Sequence, residues 1–410
     1  MKQFKTAKWF VTSGLLATTL LASVGAQAIS DPCALAKVAV PAQVTMSRPE
    51  IKEYEYKLKR ECDLTTQFRD VRAKLQERFQ VGLSNINEYQ GIRFLRRSDF
   101  EDAKNRNIPI AKKYQLLRSM DALPVAERKS IIWDNWSNGL TQLDASSDKI
   151  MRGEKFTVED LQRVHSGFYT LTKEDEGDES NAPNPGTFKP KSDNDYYWWD
   201  FATRQESDAA KAIVTQINDQ YRAMGLLEKV NGDYADILRV KRDLVKIVKG
   251  KLDLSLPRVD GIYAGDSRVN EAHVHNIINF VNGMFDQALL NQHMVWKGKL
   301  MTPAEVAYLA QKFYVGVHPF ADGNGRTSRF IQEVFLTTFD MPTGASGDLM
   351  ENDIIIPFPE YYQRAITMNL QLMDKMDKCI QSYSTNHLKS YDKIKANASV
   401  LEYGCRLMQN

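Results

Sequence analysis

The sequence predicts an all-α protein with one small β element, and three observations carry that prediction. Apolar residues recur at helical spacing along most of the chain. Helix-start signals sit immediately ahead of those runs. Only Leu256–Arg268, where Pro257, Gly261 and Gly265 surround Gly-Ile-Tyr263, suits a short strand or hairpin. At 410 residues, 43% apolar and 10% aromatic, the chain can bury sizeable cores. Its formal charge of +2 gives no reason to expect binding along nucleic acid or an anionic membrane.

The order of elements begins with a leader. Lys2, Lys5 and Lys8 precede an apolar stretch from Trp9 to about Val24, and Ala26-Gln27-Ala28 is a small-x-small cleavage site. Residues 1–28 therefore read as a secretory signal peptide. The apolar stretch is shorter than the roughly 20 residues of a spanning helix, which disfavours the alternative of a retained anchor. Loss of the leader removes three lysines and takes the charge from +2 to −1. No later stretch is long and apolar enough to span, so no stable membrane insertion is expected after cleavage, and the chain is predicted to be exported. Cys33, Cys62, Cys379 and Cys405 allow disulfides in such a chain. Proximity in sequence favours Cys33–Cys62 and Cys379–Cys405, with four reduced thiols as the alternative.

Residues 29–155 form an N-terminal helical region. From Pro49 to Arg97, apolar positions such as Phe68, Val71, Leu75 and Phe79 mark amphipathic helices, and Arg93, Arg96 and Arg97 read as a solvated face. Asp121-Ala-Leu-Pro124 interrupts the pattern before Trp133 and Trp136, which anchor the next helix. A core region, 156–400, follows. Five acids within Glu174–Glu179 and then Asn181-Ala-Pro-Asn-Pro-Gly186 make a loop, after which Tyr196-Tyr-Trp-Trp199 reads as an aromatic core plug. A helix from about Glu206 to Met224 stops at Gly225, and Asp233 caps a further helix running to Lys249. Val274, Ile277, Ile278, Val281, Phe285 and Ala288 mark one helix face. Another helix, Tyr361 to about Cys379, buries Ile366, Met373, Met376 and Ile380. His273 and His275, two apart on a helix, cannot share a face to hold a metal.

Thr302-Pro303-Ala-Glu305 is a helix start with cap, N1 proline and returning glutamate. Val306, Leu309, Ala310, Phe313 and Val317 then mark a buried helix. It leads into His318-Pro-Phe320-Ala-Asp322-Gly323-Asn324-Gly325-Arg326-Thr-Ser-Arg329, and Phe330, Ile331, Val334, Phe335 and Phe339 open a second buried helix. The polar string is thus a tight loop between core helices. Gly323, Asn324 and Gly325 can turn amides toward a phosphate at a helix N-terminus. Arg326 and Arg329 share a face and can grip further phosphate oxygens. Asp322 offers a hard oxygen to Mg, and His318 suits a general base near neutrality.

The string matches every specified position of His-x-Phe-x-Asp-Gly-Asn-Gly-Arg-x-x-Arg and so resembles the signature of the Fic (Fido) family. The resemblance implies a Fic-type helical core with a small β-hairpin flap, preceded by the N-terminal helical region. It also implies a protein adenylyltransferase, transferring AMP from ATP to a Ser, Thr or Tyr hydroxyl of a target protein. By position, His318 would be the base and Asp322 the Mg ligand. Gly323, Asn324 and Gly325 would cradle the phosphates, Arg326 and Arg329 would hold the outer ones, and Phe320 would pack beneath the loop. Phe156–His165 resembles the helix that opens many Fic cores. Pro185-Gly186-Thr-Phe188-Lys189 resembles the start of the target-docking flap, with lysine where arginine is common; Arg258–Asp266 would complete it, requiring a helical insertion between about Thr203 and Gly250. Thr172-Lys-Glu-Asp-Glu176-Gly177 fits the letters of the family's inhibitory helix, although its setting is loop-like. Another nucleotide donor, or a non-catalytic exported nucleotide- or anion-binding protein, remain the competing readings. Retention of both His318 and Asp322 disfavours the last, since binding alone needs no base.

Overall fold

The computed structural model describes residues 31–79, 131–168, 186–189, 197–201, 203–244, 247–248, 251–252, 255, 258–264, 266–320, 323–342 and 355–382. Residues 1–28, read as a signal peptide, lie outside them, as do Arg93, Arg96, Arg97, Asp121–Pro124, Asp322, Glu176, Cys405 and most of the acidic Pro/Gly loop. So do the side chains of Leu75, Phe79, Trp133, Trp136, Met376, Cys379 and Ile380.

Two helices make the centre, α7 (Pro303–Val317) and α8 (Asn324–Thr338), and every residue of α7 is buried. The expected start of α7 is present in full. Thr302 accepts from the Glu305 amide, Glu305 reaches back to the Thr302 amide, and Pro303 opens the helix. Against this pair pack α3 (Ile131–Met151), α4 (Val158–Phe168), α6 (Asn270–Leu289) and α9 (Phe358–Ser382). The periodic positions expected on α6 are all buried, as are Ile366 and Met373 on α9. Phe285 of α6 stacks on Phe335 of α8 with ring centroids 4.0 Å apart.

The N-terminal region joins the same core. A short helix α1 (Pro32–Leu35) is bonded through the Cys33–Cys62 disulfide to the long α2 (Arg48–Phe79). Leu58, Leu64, Phe68 and Val71 of α2 are buried in the cluster that contains α7 and α8. Arg69 and Arg72 pair with Asp340 just past α8, and Lys57 pairs with Glu305. Among the described residues no helix is long and apolar enough to cross a membrane.

The molecule is mostly helical, but it holds more strand than expected. Following α5 (Arg204–Ala223), which has its own Thr203/Glu206 capping box and ends at left-handed Gly225, the described residues of the segment read as a helix from Asp233 to Lys249 form strands and their connections. Asn231 and Gly232, both with positive φ, turn β2 (Lys229–Val230) into β3 (Asp233–Tyr234). Asp233 is a paired strand residue, not a cap, and the Asn-Gly dipeptide was the hairpin signal. β4 (Leu238–Leu244) follows, then a small hairpin of β5 (Ile247–Val248) and β6 (Lys251–Leu252). The Asn218 side chain of α5 bonds the backbone of Ile237 and Leu238, fixing β4 as a strand that satisfies neighbouring backbone groups rather than its own helix.

The expected strand near Gly261 is β7 (Val259–Ala264). It is the middle strand of an antiparallel sheet ordered β1–β7–β4, with β1 (Tyr197–Phe201) formed by the aromatic run. Tyr197–Trp199 therefore lie on a sheet edge, and Phe201, two residues past the run, packs on the core. A further hairpin, β8 (Met294–Trp296) and β9 (Lys299–Met301), turns through Lys297 and Gly298, again with two positive φ values.

Candidate active site

The site is built where α7 stops. His318 adopts φ 51° and ψ 56°, and its amide still donates to the Tyr314 carbonyl, so the chain leaves the helix through a left-handed residue that bears a side chain. Such a conformation is costly away from glycine, and His318 is buried where it is adopted. The loop then closes on itself. The Asn324 side chain donates to the Phe320 carbonyl at 2.7 Å and accepts from the Phe320 amide at 2.9 Å. Asn324 is almost wholly buried. Its amide group shapes the loop, leaving backbone N–H groups to face a ligand.

Gly323 caps α8 with φ 75°, and the next amides belong to a helix start whose geometry provides no acceptor within the helix. Arg326 and Arg329 rise from that first turn, both with under a tenth of their surface exposed. A Cβ at Gly323 would lie 3.6 Å from Arg326 Nη2, and one at Gly325 would lie 3.3 Å from Arg329 Nη1. The two guanidiniums therefore flank the glycine backbone. The structure brings together His318, Gly323, Asn324, Gly325, Arg326 and Arg329 within one helix junction.

Burial, and then the ammonium of Lys189, hold the His318 imidazole well below its ordinary range, and a bond to the Val315 carbonyl opposes them. A ring that is neutral at pH 7 and donates one N–H to Val315 presents its other nitrogen as a lone pair. Phe320 is fully buried beneath the loop, as expected.

Across the loop lies Gly186–Lys189. The Lys189 amide donates to the Pro319 carbonyl at 2.9 Å, and Phe188 packs on Phe320 with centroids 4.9 Å apart. This segment was expected to open a flap that Arg258–Asp266 completes. β7, within Arg258–Asp266, pairs antiparallel with β1 and β4, and the described bond of Lys189 is to the loop. Sequence reasoning did not single out His165. Its ring stacks on Phe320 at 3.7 Å and it accepts from the Gly186 amide, a meeting of three distant segments that no local pattern announces.

A magnesium ion carried on substrate phosphates commonly takes one or two protein carboxylates. Asp322, between Phe320 and Gly323, suits that donor set, and among the described residues no group of three metal-binding side chains forms a closed cage.

Residues 207–336 match the family model described as Fic/DOC family. The protein adenylyltransferase Fic of Drosophila melanogaster is 32% identical over 128 residues, covering 30% of this chain and 23% of that relative. The proteins of the same name from Drosophila simulans and Drosophila sechellia match to the same extent. The chain thus spans about a quarter of the length of the curated relatives it matches. The matched stretch runs from α5 through the motif loop into the last turn of α8, and over that stretch the chain is similar to the Fic/DOC family.

Proposed function

We propose that this protein is a Fic-type transferase acting as a protein adenylyltransferase, moving AMP from ATP to a Ser, Thr or Tyr hydroxyl of a target protein. The observation that carries the reading is a buried His318 at the left-handed end of α7, joined through the motif loop to a glycine-turned helix start flanked by Arg326 and Arg329. The family match and the relatives' names support the same chemistry.

In this reading the backbone at Gly323–Gly325 receives the phosphates, and Arg326 and Arg329 hold the β- and γ-phosphates so that the α-phosphorus faces the incoming oxygen. His318 accepts the hydroxyl proton. The oxygen–phosphorus bond forms as the bond from the α-phosphorus to the bridging oxygen breaks, pyrophosphate departs, and His318 releases its proton to solvent. Asp322 would hold a magnesium ion, which supplies charge neutralisation on the phosphates. The Gly186–Lys189 segment walls the other side, where the target hydroxyl enters.

We further infer that the protein is exported. The leader in the sequence supports this, and so does the Cys33–Cys62 disulfide, because such bonds persist in oxidising compartments. A site that uses ATP on an exported chain then implies delivery into another cell.

The test is incubation of the mature chain with α-labelled ATP, magnesium and candidate target proteins beside His318→Ala. Label should pass to protein and fall by on the order of a hundred-fold or more in the variant, the contribution of a general base. No His318-dependent label would overturn the reading. Label from γ-labelled ATP alone would indicate phosphoryl transfer, and label only from another nucleotide would change the donor.

A further inference from the structure

We propose that His165 is a positioning residue that fastens the Gly186–Lys189 strap to the motif loop and so sets the wall against which the target hydroxyl is aligned. The proposal extends the transferase reading to two segments that lie outside residues 207–336. His165 sits near the end of α4 with 3% of its surface exposed. Its ring lies flat on Phe320, with centroids 3.7 Å apart and planes 16° apart. Its Nδ1 accepts from the Gly186 amide at 2.9 Å. When Nδ1 accepts, the neutral ring carries its proton on Nε2. That corner reaches the glycine turn itself, since a Cβ at Gly323 would stand 3.0 Å from Nε2.

One side chain thus touches the strap, the loop floor and the helix start that receives phosphate. Phenylalanine could supply the flat ring and asparagine could supply an acceptor, but imidazole supplies both at this position. The α4 face is shaped for the contact. Gln162, His165 and Ser166 lie three and four apart on one side of the helix. The strap backbone approaches them so closely that a Cβ at Gly186 would stand 2.4 Å from Ser166 Oγ and 2.9 Å from the Gln162 carbonyl. Gly186 also has φ 79°, so glycine is required there twice over. Two further ties, Phe188 on Phe320 and the Lys189 amide on the Pro319 carbonyl, run parallel to the His165 contact. His165 is thus the tie that fixes the Gly186 end of the strap, while the other two hold its Phe188–Lys189 end.

The experiment compares His165→Asn, His165→Phe and His165→Ala in the mature chain by amide hydrogen exchange over residues 186–189 and by steady-state kinetics. Asparagine keeps an acceptor near the Nδ1 position. It should retain strap protection and kcat/KM for the target within a few-fold of wild type. Phenylalanine keeps the stack and loses the acceptor. Its strap amides should exchange on the order of ten-fold faster or more, the effect of one lost hydrogen bond, while amides of α7 keep their wild-type rates. Its kcat/KM for the target should fall by a similar factor with KM for ATP little changed. Equal behaviour of the asparagine and phenylalanine variants, or wild-type strap exchange in both phenylalanine and alanine variants, would overturn the proposal. If wild type itself transfers no label, the functional reading fails, and the exchange comparison still decides whether His165 ties the strap.

Discussion

His273 on α6 is fully buried and accepts at Nε2 from the Glu228 amide, and burial pushes its pKa down to about 4. The unfolded chain, with an ordinary imidazole near 6.5, takes the proton first. Its contribution to stability is therefore fully present above pH 6.5 and is lost as pH falls toward 4, amounting to about 3 kcal/mol at most. His273→Gln keeps an acceptor for Glu228 and cannot titrate. Urea midpoints measured from pH 7.5 to 4 should fall more steeply for wild type than for the variant; parallel slopes would show that His273 is not the titrating group. His318 shares the downward shift but differs in place, because it stands at a left-handed helix end that opens the motif loop. That difference was legible in the sequence, since base, glycines and arginines lie within twelve residues. The role of His165 was not, because its partners Gly186 and Phe320 come from other segments.

At the scale of elements, α7 is the rod that presents His318, and its start is held from outside as well as from within. Glu61 of α2, wholly buried, accepts from the Thr302 hydroxyl, from the Tyr362 hydroxyl at 2.7 Å and from the Ala304 amide at 3.0 Å. Burial outweighs these three donors and pushes the Glu61 pKa up to about 8. Because the folded value lies above the unfolded one, near 4.3, this residue's contribution is fully present below pH 4.3 and is lost as pH rises through 8. Glu61→Gln keeps the shape, and the two hydroxyls can reverse their roles toward an amide. The variant should match wild type at pH 5 and exceed it at pH 8 by roughly 2–4 kcal/mol in denaturant titrations. Glu61→Ala should lose roughly 2–4 kcal/mol at pH 5, through a cavity and an orphaned Ala304 amide. Equal midpoints for Gln and wild type at both pH values would show that Glu61 does not ionise on unfolding in this range. The caps of α5 and α7 were readable because each is written within four residues. The strand β4 was misread because what decides it, the Asn218 side chain and the edge of β7, arrives from elsewhere in the chain. Asn231-Gly232 gave the local warning.

For the whole molecule, the N-terminal region acts as a brace. Its α2 lies against α9 and the start of α7, through Lys57 with Glu305, Arg60 with Gln363 and Thr367, and Lys74 with Asp377 at 2.6 Å. Most of these pairs are partly exposed and contribute little singly. The buried apolar face of α2 and the Glu61 contacts carry the attachment. The disulfide then ties α1 to α2 across a separation of 29 residues. A crosslink of that length restricts the unfolded chain, and its reduction should cost about 3 kcal/mol. The double variant Cys33→Ser, Cys62→Ser should show the same loss without reductant and no further loss with it. This ties stability to compartment, since the brace is complete only where thiols oxidise. A chain expressed with residues 1–28 and recovered from outside the cytosol should begin at Ile29 and leave Cys33 and Cys62 unreactive to alkylating reagent. Recovery only from the cytosol, starting at Met1 with both thiols alkylated, would sink the export proposal and place the transfer chemistry in the cell that makes the protein.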